Sequence, residues 1–377
     1  MQVVVVKHFV NTSLMVIAFY IDEMNFRGVA NSTFLYSKYN EVVLKNKSLI
    51  FYNKSNANNK NVVIKKFKKK FKTIGVNNFS AIEQYLYKYK IKYIYTQKGG
   101  KKDTWVSNKI KTLVHYVYPQ KLSEIHGYKY VCVSSWLGSQ FTNNKIPILP
   151  YILELKKTHK NLRKKLKIKK NQIVIGCHGG ESSFDLKFAQ DTLKNLVRKK
   201  TNITFVFLNI NKFCKHRRII FLKGTSNETF KRLFLNTCDA MIYGRSLGES
   251  FGMACGEFAS LNKLIISYKY NRHRSHIDYL SKTRYIEYYS KKSLFNILNN
   301  FNKNDKLLSN KKNNYLLCKP KAVMQIFKKV FLNDKSHVKI SIVDYFVNYA
   351  GFIKMNYYYV RHKIYNQYYK FFESKFS

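Results

Sequence analysis

Two glutamates at a fixed spacing are the residues in this chain whose types and positions are best suited to chemistry. Glu249 and Glu257 lie eight positions apart, on either side of the pair Phe251 and Gly252. Acidic residues are scarce, since 20 Asp and Glu stand against 69 Lys and Arg. Because an ionised carboxylate accepts charge-assisted hydrogen bonds, the pair could hold the hydroxyl groups of a ligand.

The elements around the glutamates predict an anion site between them. The apolar run Ala240 to Tyr243 is typical of a buried strand, and small residues from about Gly252 onward predict a helix. In an open parallel sheet, ligands bind at the carboxyl ends of strands, where helices begin. A helix N-terminus offers free N–H groups and the positive end of the helix dipole, so this position favours a phosphate group.

The rest of the chain alternates between apolar runs and amphipathic segments. Such alternation predicts doubly wound sheets, because near-continuous apolar runs suit parallel strands that are covered on both faces. The predicted strands of the first half are Leu14 to Tyr20, Ser48 to Tyr52, Tyr93 to Tyr95, Leu113 to Val117 and Tyr130 to Val133. Those of the second half are Ile173 to Gly176, Ile203 to Phe207, Ile219 to Phe221, Ala240 to Tyr243 and Leu264 to Ile266.

A proline-bearing segment near the middle of the chain predicts a domain connection. Two of the four prolines lie in the run Lys145 to Pro150, which is expected to be extended and stiff. We therefore predict an N-terminal domain over residues 1–147, a C-terminal domain over 151–320 and a helical tail over 321–377. The basic run Lys65 to Lys72 is interpreted as a solvated loop or helix face.

The formal charge of +49 has two interpretations. It could serve a nucleic acid, an anionic membrane or a nucleotide. It could equally reflect an AT-rich genome, because Lys, Asn, Ile, Tyr and Phe are all plentiful in this basic protein. We favour the second interpretation, since a nucleic-acid-binding protein is expected to prefer Arg to Lys. Nucleic acid is therefore disfavoured as a partner.

The six cysteines are scattered without a C-x-x-C pair, which predicts buried, reduced thiols and a reducing compartment. No apolar run reaches the roughly 18 residues that a membrane-spanning helix needs. We expect a cytoplasmic location, or the host cytoplasm if the chain is viral, with peripheral contact with an anionic membrane left open. The tail from Val338 onward is dense in Tyr and Phe, which suits single-stranded nucleic acid or a membrane interface. We favour a helix that packs on the domains, because the aromatic residues recur at helical spacing.

The run Ser246 to Ala259, following the strand Ala240 to Tyr243, resembles the donor-site signature of the family 4 (group 1) retaining glycosyltransferases of the GT-B fold. That signature has a Ser, a Glu, a Phe-Gly pair and a second Glu eight positions after the first. The resemblance implies two Rossmann-like domains facing a cleft, with Glu249 on the donor sugar and Glu257 on the nucleotide ribose. It also implies backbone contacts from Gly252, Met253 and Ala254 to the pyrophosphate, with Arg245, Ser246 and Phe251 completing the donor site.

A second glycine-bearing segment follows the first strand of the C-terminal domain. Gly179 and Gly180 would let the backbone approach the donor closely. The family has a Gly-Arg pair here and a downstream Lys, both directed at phosphates. This chain has Cys177 in place of the Arg, so Arg245, Lys187 or backbone groups would have to neutralise the phosphates.

In the predicted N-terminal domain, Arg27 and Gly28 match the position of the family's loop near the acceptor. The strand ending in Leu113-Val114-His115-Tyr116 resembles the family's strand-end histidine, which gives His115 a catalytic role beside Glu249. A histidine satisfied within the core is the alternative for His115.

The resemblance implies transfer of a sugar from a nucleotide-sugar to an acceptor hydroxyl, with retention and without a metal or other cofactor. The acceptor would be a glycan, a protein or a lipid. No Asp-x-Asp motif is present, which argues against the metal-dependent single-domain glycosyltransferases. The alternatives are a basic nucleic-acid-binding protein, a nucleotide-sugar epimerase or hydrolase, and an inactive relative on the same fold.

Overall fold

The structure is a computed structural model that describes residues 14–154, 158–280, 284–302, 313–333 and 338–376. The first sheet is built from six parallel strands in the order β3-β2-β1-β4-β5-β6. They are β1 (Val16–Ile21), β2 (Lys47–Asn53), β3 (Lys72–Val76), β4 (Ile91–Lys98), β5 (Lys111–Tyr116) and β6 (Lys129–Cys132). Their helices are α1 (Gly28–Val42), α2 (Asn61–Lys70) and α3 (Ser135–Phe141).

The second sheet has six strands in the order β14-β12-β10-β7-β8-β9. They are β7 (Ile173–His178), β8 (Ile203–Leu208), β9 (Ile219–Leu222), β10 (Ala240–Tyr243), β12 (Leu264–Tyr268) and β14 (Tyr285–Tyr288). A separate parallel pair is formed by β11 (Gly248–Glu249) and β13 (His273–Arg274). The helices are α4 (Lys187–Lys199), α5 (Glu228–Thr237), α6 (Met253–Ser260), α7 (Ser275–Asp278), α8 (Lys291–Asn300), α9 (Pro320–Phe327) and α10 (Ile342–Phe376).

Both six-stranded sheets follow one winding pattern. Counted from the first strand of each domain, the order is 3-2-1-4-5-6, which is the doubly wound Rossmann arrangement. The pattern arises because consecutive strands are added outward from the first strand, first on one side and then on the other. The predicted fold class of two Rossmann-like α/β domains with a C-terminal helix is therefore confirmed.

The apolar runs became strands because both of their faces are covered. All six residues of β8 are buried, as are all four of β10. Five of the six cysteines are buried and Cys214 is partly exposed, and all six are free thiols, whereas the reducing compartment stays a prediction. The segment Pro147 to Pro150 runs beside β6, where Leu149 N–H donates to the Cys132 carbonyl oxygen. The predicted domain bounds stay predictions, and residues 1–13 lie outside the described part of the chain.

Three elements differ from the sequence-based expectations. The basic run Lys65 to Lys72 is the last part of α2 followed by the start of β3, a strand that was not predicted. The segment Ser80 to Ile91 has apolar residues at helical spacing, which predicts a helix, but it forms only a 3₁₀ helix over Ser80–Tyr85 before β4 begins at Ile91. The edge strand β14 was also missed, because it has only four residues and Glu287 interrupts their apolar pattern.

The C-terminal helix α10 crosses both domains. Near its start, Asn348 Nδ2 donates to the Phe141 carbonyl oxygen at 2.7 Å in the first domain. Near its end, the Tyr369 hydroxyl donates to Asp191 Oδ2 at 3.0 Å in the second domain. Among the described helices, α10 included, none is both long and apolar enough to cross a bilayer.

Candidate functional site

The two sheets place their reversal points on a shared cleft. The strand order reverses between β1 and β4 in the first sheet, and between β7 and β10 in the second. Loops leaving neighbouring strands there turn to opposite faces, which opens a crevice at the carboxyl ends. The segments that follow β1, β7 and β10 all line one cavity of about 310 Å³. A volume of this size is in the range that holds a small-molecule ligand.

The loop after β10 is shaped by glycine. Gly248 has a φ of +74° and pairs in register with His273, so a Cβ there would lie 1.9 Å from the His273 carbonyl oxygen. Gly252, at the N-terminus of α6, has a φ of +83°, and a Cβ there would lie 2.5 Å from the His276 Cβ. Left-handed backbone and close packing both require glycine. The two glycines therefore fix the loop that carries Glu249 and begins α6.

Glu249 is held at the cavity wall by two donors, one at the end of β10 and one in the loop that follows. The Tyr243 hydroxyl donates to Glu249 Oε1 at 3.0 Å, and the Arg245 guanidinium donates to the same oxygen at 3.1 Å. Both contacts use Oε1, and the side chain is 27 % exposed, so the carboxylate keeps capacity for a ligand in the cavity.

Glu257, on the first turns of α6, is a buried carboxylate between two basic side chains. Lys231 Nζ donates to Glu257 Oε1 at 2.7 Å. His178 Nε2 contacts Glu257 Oε2 at 2.8 Å. Burial alone would raise the pKa of Glu257, but the charge of Lys231 and the His178 ring outweigh it and lower that pKa to about 2. Glu257 is therefore ionised at neutral pH.

The ion pairs continue from Glu257 across the cleft into the first domain. Lys231 Nζ also lies 3.5 Å from Glu228 Oε2 on α5. Glu228 Oε1 in turn pairs with Lys66 Nζ on α2 at 3.0 Å. A second contact across the cleft joins Asn31 Nδ2 to Met253 Sδ at 3.3 Å. The two walls of the cavity are therefore connected by an alternating row of charges, Glu257, Lys231, Glu228 and Lys66.

Nine of the predicted site residues line this cavity. They are Arg27, Gly28, Gly179, Gly180, Arg245, Glu249, Met253, Ala254 and Glu257. The predicted acceptor residues Arg27 and Gly28 come from the N-terminus of α1, opposite the loop after β10. Residues that are more than 200 positions apart in the sequence thus meet around one volume.

Four predicted site residues lie elsewhere. Phe251 is 1 % exposed and packs against Tyr151, Tyr279 and Tyr315. Gly252 is buried behind the cavity wall at the start of α6. Ser246 binds the Asp185 carboxylate through its backbone N–H and its hydroxyl.

His115, the fourth, is fully buried beneath the strand end. Its Nδ1 lies 2.7 Å from the Tyr95 hydroxyl, and burial lowers the pKa of His115 to about 3, so its ring is neutral at physiological pH. His115 is therefore a core histidine whose Nδ1 is partnered, and its catalytic role stays a prediction. The residue that the same strand end contributes to the cavity is Tyr118, three positions later.

Several lining residues escaped the sequence analysis as site residues. Lys66, Tyr118, Glu228 and Lys231 belong to three different segments. A sequence feature that could have indicated Glu228 and Lys231 is the helix-capping pattern over Thr225 to Glu228. It follows β9 and begins α5, where Asn227 Oδ1 accepts from the Phe230 N–H at 3.0 Å. Lys231 lies one helical turn beyond that cap.

The expected phosphate-side cations are arranged differently from the family pattern. Lys187 is exposed on α4 and pairs with Asp191, and it does not line the cavity. Arg27, Lys66, Lys231 and Arg245 do line it. Within the described residues, no group of three or more His, Cys, Asp or Glu side chains is placed to hold a metal ion.

The fold is similar to solved structures at low sequence identity. A glycosyltransferase from Rickettsia africae superposes with a TM-score of 0.60 at 14 % identity, over 85 % of this chain and 100 % of that chain. The HepE protein of Anabaena, in complex with UDP and glucose, gives 0.60 at 12 % identity over 84 % of this chain and 98 % of that chain. A UDP-N-acetylglucosamine 2-epimerase gives 0.55 at 7 % identity over 87 % and 100 %. No family model and no curated protein matches the sequence. The similarity establishes a shared GT-B type fold.

Proposed function

We propose that this chain is a glycosyltransferase that moves a sugar from a nucleotide-sugar donor to an acceptor hydroxyl. The observation that carries the proposal is the cavity at the facing reversal points, where the N-terminus of α6 lies between Glu249 and Glu257. The HepE structure, which shares the fold, holds UDP and glucose. That likeness supports a nucleotide-sugar as the donor class.

Each part of the donor has a suitable position in the cavity. Glu257 lines the cavity as an ionised carboxylate, so it is suited to accept a ribose hydroxyl. The diphosphate would lie at the N-terminus of α6, beside Met253 and Ala254. The sugar would then reach Glu249, the carboxylate at the opposite end of the same loop.

The leaving nucleoside diphosphate sets the main catalytic demand, because negative charge develops on it as the glycosidic bond breaks. Helix N–H groups and the neighbouring Arg245 and Lys231 would stabilise that charge without a metal.

We further propose retention at the anomeric carbon and membership of family 4, on the strength of the Glu249 to Glu257 signature. We assign no protein nucleophile, since Glu249 is given a binding role. The acceptor would enter past Arg27 and Gly28, and the cytoplasm is the proposed location.

A charge placed at the first turn of α6 tests this assignment. Ala254→Asp is expected to weaken the binding of UDP-, GDP- or ADP-sugars by about tenfold or more, because a carboxylate there repels the diphosphate. Ala254→Asn is the matched control, with the same shape and no charge. The same acidic residue is favourable for the helix itself, so the melting temperature without ligand should not fall. Thermal shift and isothermal titration with a panel of nucleotide-sugars measure both effects.

Two results would contradict the proposal. One is that no nucleotide or nucleotide-sugar stabilises the wild-type protein. The other is that the Asp and Asn variants respond equally to a nucleotide-sugar, since the diphosphate would then lie away from α6.

An epimerase is the second candidate, because a UDP-N-acetylglucosamine 2-epimerase shares this fold. Product analysis separates the two activities. A transferase releases the nucleoside diphosphate and requires an acceptor for a sugar-containing product. An epimerase changes the sugar configuration without any acceptor.

A further inference from the structure

The outward side of α10 carries a continuous apolar stripe. Its members recur every three or four positions, and each is between 51 % and 73 % exposed. We name the following seven residues the apolar stripe: Ile342, Phe346, Tyr349, Ile353, Tyr357, Val360 and Ile364. At 1.5 Å of rise per residue, the stripe is about 33 Å long. Exposed apolar surface of this extent marks an interaction site.

The opposite side of α10 holds the helix against the protein. Asp344, Asn348, Met355 and Tyr369 are all buried there. Asp344 Oδ1 accepts from Asn143 Nδ2 at 2.9 Å, and the Tyr268 hydroxyl contacts His362 Nδ1 at 3.4 Å. The predicted packing of the tail on both domains thus uses mostly residues outside the aromatic clusters. The apolar stripe is left facing solvent.

Basic residues border the stripe on both sides. With 100° of rotation per residue, Lys354 and Arg361 lie along one side, and Lys363 and Lys370 lie along the other. Arg272 stacks over the Tyr359 ring at 5.3 Å beside the second row. Between Ile342 and Phe371 the sequence has one acidic residue, Asp344, and it is turned inward. The outward side is therefore apolar in the middle and cationic at both edges.

We propose that α10 docks on an anionic lipid bilayer, with the apolar stripe in the headgroup–acyl boundary and the basic rows on lipid phosphates. An apolar stripe flanked by Lys and Arg is the pattern of a helix lying in the membrane interface. Tyrosine also prefers this depth. A second copy of the chain is a poorer occupant, because two stripes brought together would also bring basic rows together without acidic partners. The net charge of +49 also favours binding to an anionic membrane.

Removal of apolar side chains from the stripe tests the docking. The double variant Ile353→Ser and Ile364→Ser should bind vesicles of phosphatidylcholine and phosphatidylserine about tenfold or more weakly than the wild type. The matched control is Tyr87→Ser with Leu317→Ser, which removes side chains that are 96 % and 69 % exposed elsewhere. Vesicle co-sedimentation of the full chain measures binding. Both double variants should keep the wild-type melting temperature, because all four side chains are exposed.

The contribution of the basic rows to vesicle binding can be measured separately from that of the apolar stripe. Lys363→Gln with Lys370→Gln should weaken binding to the anionic vesicles by about fivefold per charge, and should leave any binding to pure phosphatidylcholine unchanged. Lys68→Gln with Lys69→Gln, on the exposed side of α2, removes the same charge away from α10 and should have a smaller effect. High salt should reduce the difference between the two pairs.

Depth of insertion gives the third measurement. The fluorescence of Phe346→Trp, after subtraction of the wild-type signal, should be quenched by brominated lipid, whereas that of Tyr87→Trp should not. The proposal fails if the stripe variant binds vesicles as well as its control, or if neither lipid mixture binds the protein. It also fails if the stripe variant dissociates a dimer of the wild type, or if it loses binding to single-stranded RNA rather than to vesicles.

Discussion

Glu257→Gln is expected to lower the free energy of unfolding by about 3–5 kcal/mol at neutral pH. The substitution leaves Lys231 in a site where its side chain is only 17 % exposed, with Glu228 as a more distant and more exposed partner. Removing one member of a buried ion pair strands the other charge away from water, and that loss is of this size. Urea unfolding of the ligand-free protein, followed by circular dichroism, measures the change.

Two further variants isolate the pair. Lys231→Met combined with Glu257→Gln should cost clearly less than the sum of the two single substitutions, because the double variant buries no unpaired charge. Glu228→Gln is the control at the most exposed member of the row, where the side chain is 51 % exposed, and should cost about 1 kcal/mol or less. If Glu257→Gln and Glu228→Gln prove equally mild, the buried pair does not contribute to stability as its geometry implies.

Acid titration gives the same pair a second readout. The pKa of Glu257 is lowered from 4.5 to about 2 in the folded protein. A lowered pKa stabilises the fold above the unfolded value, and that stability is lost as pH falls from about 4.5 to about 2. The wild type should lose up to about 3 kcal/mol from this group over that window. The stability difference from Glu257→Gln should therefore shrink toward pH 2, whereas an unchanging difference would exclude the pairing.

The Glu257 pair also connects stability with the proposed donor site. Glu257 faces the cavity and is tied through Lys231 and Glu228 to Lys66 in the other domain. A ribose hydroxyl bound to Glu257 would join this row of charges directly. Nucleotide binding should consequently be sensitive to substitutions at the row, even at Lys66, which lies on the opposite wall.

The parts of the fold that the sequence predicted best are those that local pattern determines. The strand over Ala240 to Tyr243 was predicted with the same bounds, and the helix from about Gly252 begins at Met253. Continuous apolar runs leave few alternatives when both faces of a strand are buried. The glutamate spacing likewise placed Glu249 and Glu257 on one cavity, because strand, loop and helix are consecutive in the chain.

The parts that could not be predicted depend on contacts between distant segments. Lys66 and Lys231 are ordinary surface lysines by sequence, and they become site residues only because the two domains face each other. His115 was linked to the cleft through its strand end, but strand ends place alternate side chains on opposite faces, and Tyr118 is the residue that reaches the cavity. Helical spacing alone did not reveal that most aromatic residues of α10 face outward.

Gly248→Ala is expected to cost about 3 kcal/mol or more of stability and to abolish the response to nucleotide-sugars. An alanine at a φ of +74° is strained by about 1–2 kcal/mol. The added Cβ also meets the backbone carbonyl of His273 at 1.9 Å and the Asn271 Cβ at 2.8 Å. Backbone cannot yield as a flexible side chain does, so the β11 and β13 pair must separate. The shift is passed to the next residue, Glu249.

Gly99→Ala is the matched control for this variant. A Cβ at Gly99 would lie 3.8 Å from the Tyr118 ring, an ordinary contact, and no left-handed backbone is involved. Thermal unfolding with and without a nucleotide-sugar should show both losses for Gly248→Ala and neither for Gly99→Ala. If Gly248→Ala loses stability but keeps the wild-type thermal shift, the loop geometry around Glu249 is not needed for the donor. If it loses the shift at unchanged stability, the backbone clash is absorbed locally and the loop acts on binding alone. In the expected case, the absence of a side chain at Gly248 determines both the stability of the loop and the position of the Glu249 carboxylate.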